Sequence, residues 1–555
     1  MKAIDLLLEE ANSIKTKLNQ ISTALSPNMS IFWASRFADY HAGFSQEIEG
    51  YSKVVNIGLA KSLLEFELGQ ESYGVPYSGF DKNLWDWAQL NAYLSGSYMR
   101  TQQFLQLYSE GLIDVIKDMN GLRIEYLQPS GQEAVEHFDH IWINQFVLEK
   151  MDLESWQASK AVEQNILKSL TKIVRVDLES FIAYNVPYEI EEYLLNRAVL
   201  TGRVMDFNDL FPGSCKFGGY TFTELRGALV FFIRRALRHN FCCIALTQTN
   251  RNSDLRALLT LWSTKKDLQD ELADEIDDNT FPEFFVNLIT STPGKSDYIT
   301  KVAGAPTPLA ISLGGSMLIT PTSSALTTPF VYLARQLKQR YKKDYFNAVN
   351  QREAFFQDEM KLFFNQFRHF HVIKEGMQIR SPGLRTDIDF LVLDIESGSI
   401  GVFQLKWQDP FGDSVLEGRS KIKNLESSSH KWLKTIEDWI KINGLDELTK
   451  RLGGKCPSEF KPKEYKVFIV GRYFSSWSGH IKQAQNAAWI NWFSMLKMIY
   501  KQPELIKQNL GTYYDAVKDY EVRKRATQIT KKNIQENIGK LKILVPHSVF
   551  NEKVK

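Results

Sequence analysis

The chain has 555 residues, which at roughly 100–200 residues per domain predicts about three or four domains. Hydrophobic residues make up 44% and charged residues 24% of it, which excludes a wholly disordered chain and a collagen-like or coiled-coil fibre. The four cysteines are too few for a disulfide scaffold, and no stretch reaches the roughly 20 apolar residues that a membrane span requires. We therefore expect a cytoplasmic protein with no membrane partner.

The net charge of +2 hides an uneven distribution along the chain. Residues 331–555 hold 39 Lys and Arg against 25 Asp and Glu, whereas residues 1–330 hold 28 against 40. Variation in surface composition explains this difference, and so does a basic part that faces a polyanion, joined to an acidic part with another role. On the second interpretation, we expect the acidic part to regulate the protein or to bind a protein partner.

The first 330 residues predict a helical domain and a connecting segment. Residues 1–303 carry apolar side chains at three- and four-residue spacing, which predicts a mainly helical domain. Of the 26 residues from 304 to 329, 16 are Gly, Pro, Ser or Thr, a composition that breaks helices. We interpret 304–330 as a connecting segment with one hairpin, packed on a neighbouring domain.

Residues 331–510 predict an α/β domain. A helix carries Phe356, Met360, Phe363 and Phe367 along one face. Strands are predicted at 371–379, 386–394, 400–407 and 465–471, and further helices at about 414–443 and 483–500. The chain as a whole is therefore predicted to be multidomain: a mainly α N-terminal domain is followed by an α/β domain with a mixed central sheet.

Polar side chains interrupt two of these apolar strands at the same end. In TDIDFLVLD, the two-residue period of a strand places Asp387 and Asp389 on one face. In IGVFQLKW, the same rule places Gln404 and Lys406 together. Because an unpaired charge is costly to bury in a sheet, Asp389 and Lys406 each need a counter-charge or a metal. Carboxylate and carbonyl oxygens suit Mg²⁺, and a neighbouring lysine suits phosphodiester hydrolysis.

This pattern of Asp389, a turn, and then Gln404-Leu405-Lys406 resembles the PD-(D/E)xK nuclease superfamily, and QLKW resembles its Mrr-like D…QxK variant. The resemblance covers about residues 345–500. It implies a restriction-endonuclease-like fold and an enzyme that cleaves nucleic acid, most simply an endonuclease on duplex DNA with a role in restriction or antiviral defence. It also implies Mg²⁺, or Mn²⁺, as the cofactor.

The resemblance also implies the roles of individual residues. Asp389, Gln404 and the Leu405 carbonyl would bind the metal, and Lys406 would be the catalytic lysine. Many members place a Glu on the first helix, and Glu353 is the preferred candidate for it. Two accessory candidates complete the predicted site: Asp387 and Glu359.

The same residues also fit two roles without catalysis. Asp387 and Asp389 would cap a strand while Lys406 pairs with one of them, or the nuclease fold would have lost activity and serve as a nucleic-acid-binding or scaffold subunit of a defence complex. Three nearby basic residues fit either phosphate contacts or a solvated strand edge: Lys374, Arg380 and Arg385.

Residues 511–555 form a basic tail in this interpretation. Residues 521–555 hold 9 Lys and Arg against 3 Asp and Glu. A helix there would dock through its apolar residues and turn its basic residues outward, either to solvent or to phosphate. The nucleic-acid-binding prediction names three consecutive residues: Arg523, Lys524 and Arg525.

Overall fold

A computed structural model of the chain describes residues 2–22, 25–45, 49–68, 79–119, 121–127, 153–176, 182–205, 208–295, 302–374, 376–407, 415–473, 484–526 and 529–550. The chain forms two compact units. The first consists mainly of Met1–Glu125, Val147–Ala348 and Asn533–Val545, and the second mainly of Val349–Lys532. Within the described ranges, no helix is long and apolar enough to cross a lipid bilayer.

The first unit is mainly helical, as its sequence predicts. Its helices are α1 (Ala3–Ser22), α2 (Pro27–Phe44), α3 (Glu49–Leu64), α4 (Lys82–Ser109), α5 (Leu153–Leu170), α6 (Tyr188–Val204), α7 (Phe222–Thr249), α8 (Leu255–Leu258), α9 (Lys265–Ala273), α10 (Phe281–Ile289), α11 (Thr322–Thr327) and α12 (Pro329–Arg340). Its strands are β1 (Ile113–Asp118), β2 (Gly121–Tyr126), β3 (Arg175–Val176), β4 (Ile182–Ala183), β5 (Lys216–Phe217), β6 (Tyr220–Thr221), β7 (Leu261–Thr264), β8 (Thr290–Ser291), β9 (Ala310–Ser312) and β10 (Met317–Thr320). Thr221 starts α7 with a capping box, because its hydroxyl accepts from the backbone N–H of Glu224 while the Glu224 carboxylate accepts from the Thr221 backbone.

The second unit alternates helices and strands. Its elements in chain order are α13 (Lys342–Phe364), β11 (Phe370–Ile373), β12 (Met377–Ser381), β13 (Leu384–Ile388), β14 (Phe390–Asp394), β15 (Ser399–Lys406), α14 (Val415–Asn443), α15 (Leu445–Leu452), a 3-10 turn (Gly453–Lys455), β16 (Glu464–Gly471), β17 (Ala487–Asn491), α16 (Trp492–Lys501), α17 (Glu504–Gln508) and α18 (Leu510–Ala526). The strands β18 (Ile529–Ile538) and β19 (Leu541–Phe550) end the described chain, and their residues within Asn533–Val545 belong to the first unit.

A mixed five-stranded sheet forms the centre of the second unit, in the order β11-β14-β15-β16-β17. β14 is antiparallel to β11 and β15, whereas β15, β16 and β17 run parallel. Apolar side chains of α13, α16, α17 and α18 pack on one face of the sheet, and those of α14 and α15 pack on the other. The predicted α/β domain with a mixed sheet is therefore present as three layers.

The structure corrects the predicted connecting segment. Within 304–330, β9 and β10 form the predicted hairpin, with Ile319 opposite Ile311. β10 also pairs with β7, so the segment is part of a four-stranded sheet of the first unit. Gly314 and Gly315 lie between β9 and β10, which bury Ile311 and Ile319. The division between the units falls later, within α13.

The structure also corrects the predicted basic tail at 511–555, because the helix considered for residues 521–555 ends at Ala526. α18 belongs to the core of the second unit, because Leu510, Tyr513 and Val517 are fully buried there. After Ala526 the described chain forms β18 and β19, which join β1 and β2 in a four-stranded sheet in the order β1-β2-β19-β18. The second unit therefore extends past residue 510, and strands rather than a separate helix follow α18.

Candidate metal centre

Asp389 lies at the junction of two strands. β13 ends at Ile388 and β14 begins at Phe390, so TDIDFLVLD is two strands rather than the single one predicted. In the antiparallel pair of β14 and β15, Phe390 is opposite Phe403. One residue further, Asp389 falls opposite Gln404, and directly opposed residues of an antiparallel pair share a face. The sheet register thus brings the Asp389 and Gln404 side chains together.

The Asp389 carboxylate takes the place of a strand partner for β15. Its Oδ2 accepts a hydrogen bond of 2.8 Å from the backbone N–H of Leu405, beyond the last β14 pair. In a β-strand, the N–H and the C=O of one residue point to the same side, and those of the next residue point to the other side. The Lys406 C=O accordingly points away from Asp389 and accepts from the Arg472 N–H at 2.7 Å. The Leu405 carbonyl therefore points to the edge where Asp389 lies.

Gln404 presents an amide oxygen that has no partner among the described residues. The residue is only 6% exposed, and its Oε1 makes no hydrogen bond within that part of the structure. An unsatisfied buried oxygen costs about 1–3 kcal/mol, so such an atom needs an explanation such as a bound water or ion. The position of this oxygen, on the face that Asp389 shares, fits a cation ligand.

Lys406 follows at the end of β15, where its side chain is half-buried. Arg472 lies directly after β16 and its backbone N–H holds the Lys406 carbonyl. The Arg472 guanidinium is buried, forms an ion pair with Glu359 and lies 4.6 Å from the ring centre of Trp407. These contacts fix the backbone on which Lys406 is mounted.

Glu353 reaches the same site from α13. Its carboxyl pKa is raised, first by loss of hydration and then by the charge of Asp387, while Lys406 lowers it. Gln357, one helical turn further, donates to the Asp389 backbone oxygen at 3.0 Å and to Glu353 Oε1 at 3.4 Å. Helix α13 is thereby tied to the strand junction.

The charges of this cluster shift the titration of Asp389. Its carboxyl pKa is raised to about 7, mainly by burial and also by the charges of Glu353 and Asp387. The Leu405 N–H and the Lys406 ammonium oppose this rise, because both favour the ionised form. A buried acid beside further acids is an arrangement that a divalent cation would stabilise strongly.

The two accessory candidates have different surroundings. Asp387 is exposed on β13, and its backbone oxygen accepts from the Trp432 indole at 2.5 Å. Its charge nevertheless acts on both Glu353 and Asp389. Glu359 is engaged by the Arg472 guanidinium instead, so it supports the position of Lys406 indirectly.

The donor set fits a hard cation with few protein ligands. Asp389, the Gln404 amide oxygen and the Leu405 carbonyl supply oxygen only, the ligand type that Mg²⁺ and Mn²⁺ prefer, and Mg²⁺ usually keeps several waters. Among the described residues, no group of three or more His, Cys, Asp and Glu side chains is arranged as a metal site. The candidate centre at Asp389 would contain one such side chain and two neutral oxygens, so it would be a site of another kind.

The three basic residues predicted to bind nucleic acid belong to α18, but their side chains are outside the described part of the structure: Arg523, Lys524 and Arg525.

Sequence reasoning missed Gln357 and Arg472. Gln357 lies four residues after Glu353, so helical spacing would have placed it on the same face. Arg472 directly follows the predicted strand at 465–471, at the end of the sheet where Lys406 lies.

No protein-family model matches the chain, and no match was found among curated proteins or among solved structures. The nuclease resemblance accordingly depends on the residues and the order of elements described above.

Proposed function

We propose that the chain is a Mg²⁺-dependent nuclease, with Mn²⁺ as a substitute, and that it acts as an endonuclease on duplex DNA. The observation that supports this most is the strand junction, where the Asp389 carboxylate bonds to Leu405 N–H. Beside it lies the buried amide oxygen of Gln404, which lacks a partner among the described residues. Lys406 and Glu353 adjoin the same cluster through their charges.

Each residue has a chemical role in this proposal. Asp389, Gln404 Oε1 and the Leu405 carbonyl would hold the cation. A bound cation of this kind acidifies a water and stabilises the charge that develops on phosphorus. The Lys406 ammonium orients the attacking water or neutralises the phosphate oxygens, and the Arg472 N–H holds the Lys406 backbone carbonyl. Glu353 accepts a proton or binds a further water of the site.

The wider role is also a proposal. Restriction of foreign DNA, including antiviral defence, follows from the resemblance to Mrr-like enzymes. The mainly helical first unit would sense, regulate or recruit a protein partner, because the first 330 residues are acidic and poorly suited to hold DNA. The three basic residues of α18 would add phosphate contacts.

A second function has one observation in its favour. A carboxyl with a pKa of about 7 is half-neutral at physiological pH, and Gln404 supplies no charge where an acidic ligand is commoner. Both features weaken metal binding, which suits a nucleic-acid-binding or scaffold subunit that has lost catalysis. Cleavage separates the two functions, because the scaffold binds nucleic acid without hydrolysing it.

The test is an end-labelled substrate panel of duplex DNA, single-stranded DNA and structured RNA, incubated with Mg²⁺, Mn²⁺ or Ca²⁺. We expect Mg²⁺- and Mn²⁺-dependent cleavage of duplex DNA that both Asp389→Ala and Lys406→Ala abolish. Nucleic-acid binding without cleavage in any metal would favour the scaffold function. Full activity of the Asp389→Ala protein would refute the assignment of the site.

A further inference from the structure

A short hairpin leads directly into the candidate metal centre. β12 and β13 pair antiparallel, and the turn Pro382–Gly383 joins Ser381 to Leu384. Gly383 has φ of +76°, a left-handed conformation that favours glycine, and Pro at the preceding position is typical of a type II turn. The strand β13 ends one residue before Asp389.

The hairpin has one buried and one exposed face. Ile379 and Ile388 are buried in the core that α14 covers. On the other face, two exposed cross-strand pairs follow each other: Gln378 opposite Asp387, and Arg380 opposite Arg385. The Trp432 indole N–H bonds to the Asp387 backbone oxygen and so anchors the hairpin to α14.

The Arg380–Arg385 pair is unfavourable for an isolated protein. Like charges directly opposite each other in an antiparallel pair destabilise it, because the two side chains start from backbone positions about 5 Å apart. Arg380 donates a hydrogen bond to the Gln378 amide oxygen. Because that acceptor is neutral, it does not neutralise the charge of Arg380. Nearby Lys374 differs, because it forms an ion pair with Asp358. A ligand with negative charge would relieve the repulsion at the arginine pair.

We propose that Arg380 and Arg385 bind the phosphate backbone of duplex DNA and align it with the metal centre; this proposal rests on the proposed function. Two residues along a strand span about 6.8 Å, so Arg385 lies one such step from Asp387. The charge of Asp387 in turn acts on Asp389 and Glu353. The arginine pair thus lies on the exposed face of the hairpin, next to Asp387 and the candidate metal centre.

The chemistry favours DNA phosphates as the occupant. Duplex DNA carries one negative charge per about 1.7 Å of its axis, so neighbouring phosphates can meet the site and the arginine pair at once. The guanidinium fork stays charged at all physiological pH values and donates two parallel hydrogen bonds to a phosphate. Because the hairpin is anchored to α14, the backbone that carries both arginines does not have to become ordered when DNA binds.

The experiment measures binding of a labelled duplex DNA of about 25 base pairs to the full chain in EDTA, by fluorescence anisotropy over a range of KCl concentrations. Each phosphate contact contributes about −0.9 to the slope of log K against log[salt]. The Arg380→Gln/Arg385→Gln protein should therefore bind more weakly and show a slope flatter by up to about 1.8. The matched control is Lys441→Gln/Lys450→Gln, which removes two exposed charges from α14 and α15. Its slope should equal that of the unaltered protein.

A charge reversal separates binding from folding. Arg380→Glu places opposite charges across the hairpin, so the protein should melt at an equal or higher temperature while its DNA affinity falls further than in the single Arg380→Gln variant. An unchanged salt slope in the double Gln variant overturns the proposal, as does preferential binding of RNA through these arginines. A flattened slope in a protein that never cleaves DNA supports the arginine pair and refutes only the nuclease activity.

Discussion

The buried carboxyl of Asp389 should make the protein less stable at neutral pH than it would be with a neutral residue at this position. Burial first, and then the charges of Glu353 and Asp387, raise its pKa from 3.8 to about 7. Between these two values, the folded protein holds a proton that the unfolded chain has released. The free energy of unfolding therefore falls as the pH rises from about 4 to 7. Asp389→Asn should remove this loss, because the Asn oxygen still accepts from Leu405 N–H.

The expected magnitude follows from the pKa difference. At about 1.36 kcal/mol per pKa unit, the full loss is on the order of 4 kcal/mol. Part of this loss of stability is already present at pH 5, because the Asp389 carboxyl is largely ionised there in the unfolded chain. The stability advantage of Asp389→Asn should accordingly grow by about 2–3 kcal/mol between pH 5 and pH 8.

Urea unfolding at pH 5, 6, 7 and 8 in EDTA, followed by tryptophan fluorescence, measures this difference. The control Asp446→Asn removes an exposed carboxylate at the start of α15, and its effect should stay within about 1 kcal/mol at every pH. Added Mg²⁺ should narrow the gap between the unaltered protein and Asp389→Asn, since only the carboxylate gains a counter-charge. A gap that does not change with pH, or an Asn variant that is less stable at pH 8, would refute the reasoning.

Three further predictions concern the site and the chain around it. Gln404→Glu supplies a second charged ligand, so half-maximal cleavage should need less Mg²⁺, as a metal titration of the rate would show. Glu353→Gln removes a negative charge that raises the pKa of Asp389. The acid limb of the pH–rate profile should therefore shift to lower pH, even if the maximal rate falls. Replacing the three basic residues of α18 by Gln should flatten the salt dependence of DNA binding by up to about three contacts, and an unchanged slope would assign them to solvent. That variant changes these positions: Arg523, Lys524 and Arg525.

The proximity of Asp389 and Gln404 could be predicted because strand patterns are local. The alternation in TDIDFLVLD and IGVFQLKW, joined by a short turn, is sufficient to bring Asp389 beside Gln404. The break at Asp389 was not predictable from the pattern, because the apolar period continues through it. The run at 371–379 similarly divides into β11 and β12, which belong to different sheets.

The strand β17 shows a different limit. Its residues AAWIN are all buried between neighbouring layers, so no polar alternation marks them as a strand. Periodicity cannot distinguish such a run from a buried helix, and the pattern therefore predicts a helix from 483 onward. The helix begins only at Trp492, where the Asn491 side chain accepts from Ser494 N–H.

The helix considered for residues 521–555 does not continue past Ala526, for a reason that is not local. In β18, Ile534, Glu536 and Ile538 are buried at a two-residue spacing, which is a strand pattern with an acid in its apolar row. Arg100, 436 residues earlier in the chain, bonds both oxygens of Glu536 at 2.8 Å and makes this burial tolerable. Nothing near Glu536 in the sequence indicates that partner.

The central claim is that Asp389, Gln404 and Leu405 form a divalent-metal site and that the neighbouring Lys406 is the catalytic lysine. Binding of Mn²⁺, followed by electron paramagnetic resonance of the free ion, tests it most directly and does not require a known substrate. The unaltered protein should bind Mn²⁺, Asp389→Ala should lose this binding, and Lys406→Ala should retain it while failing to cleave DNA. Equal Mn²⁺ binding by the unaltered and Asp389→Ala proteins would contradict the claim.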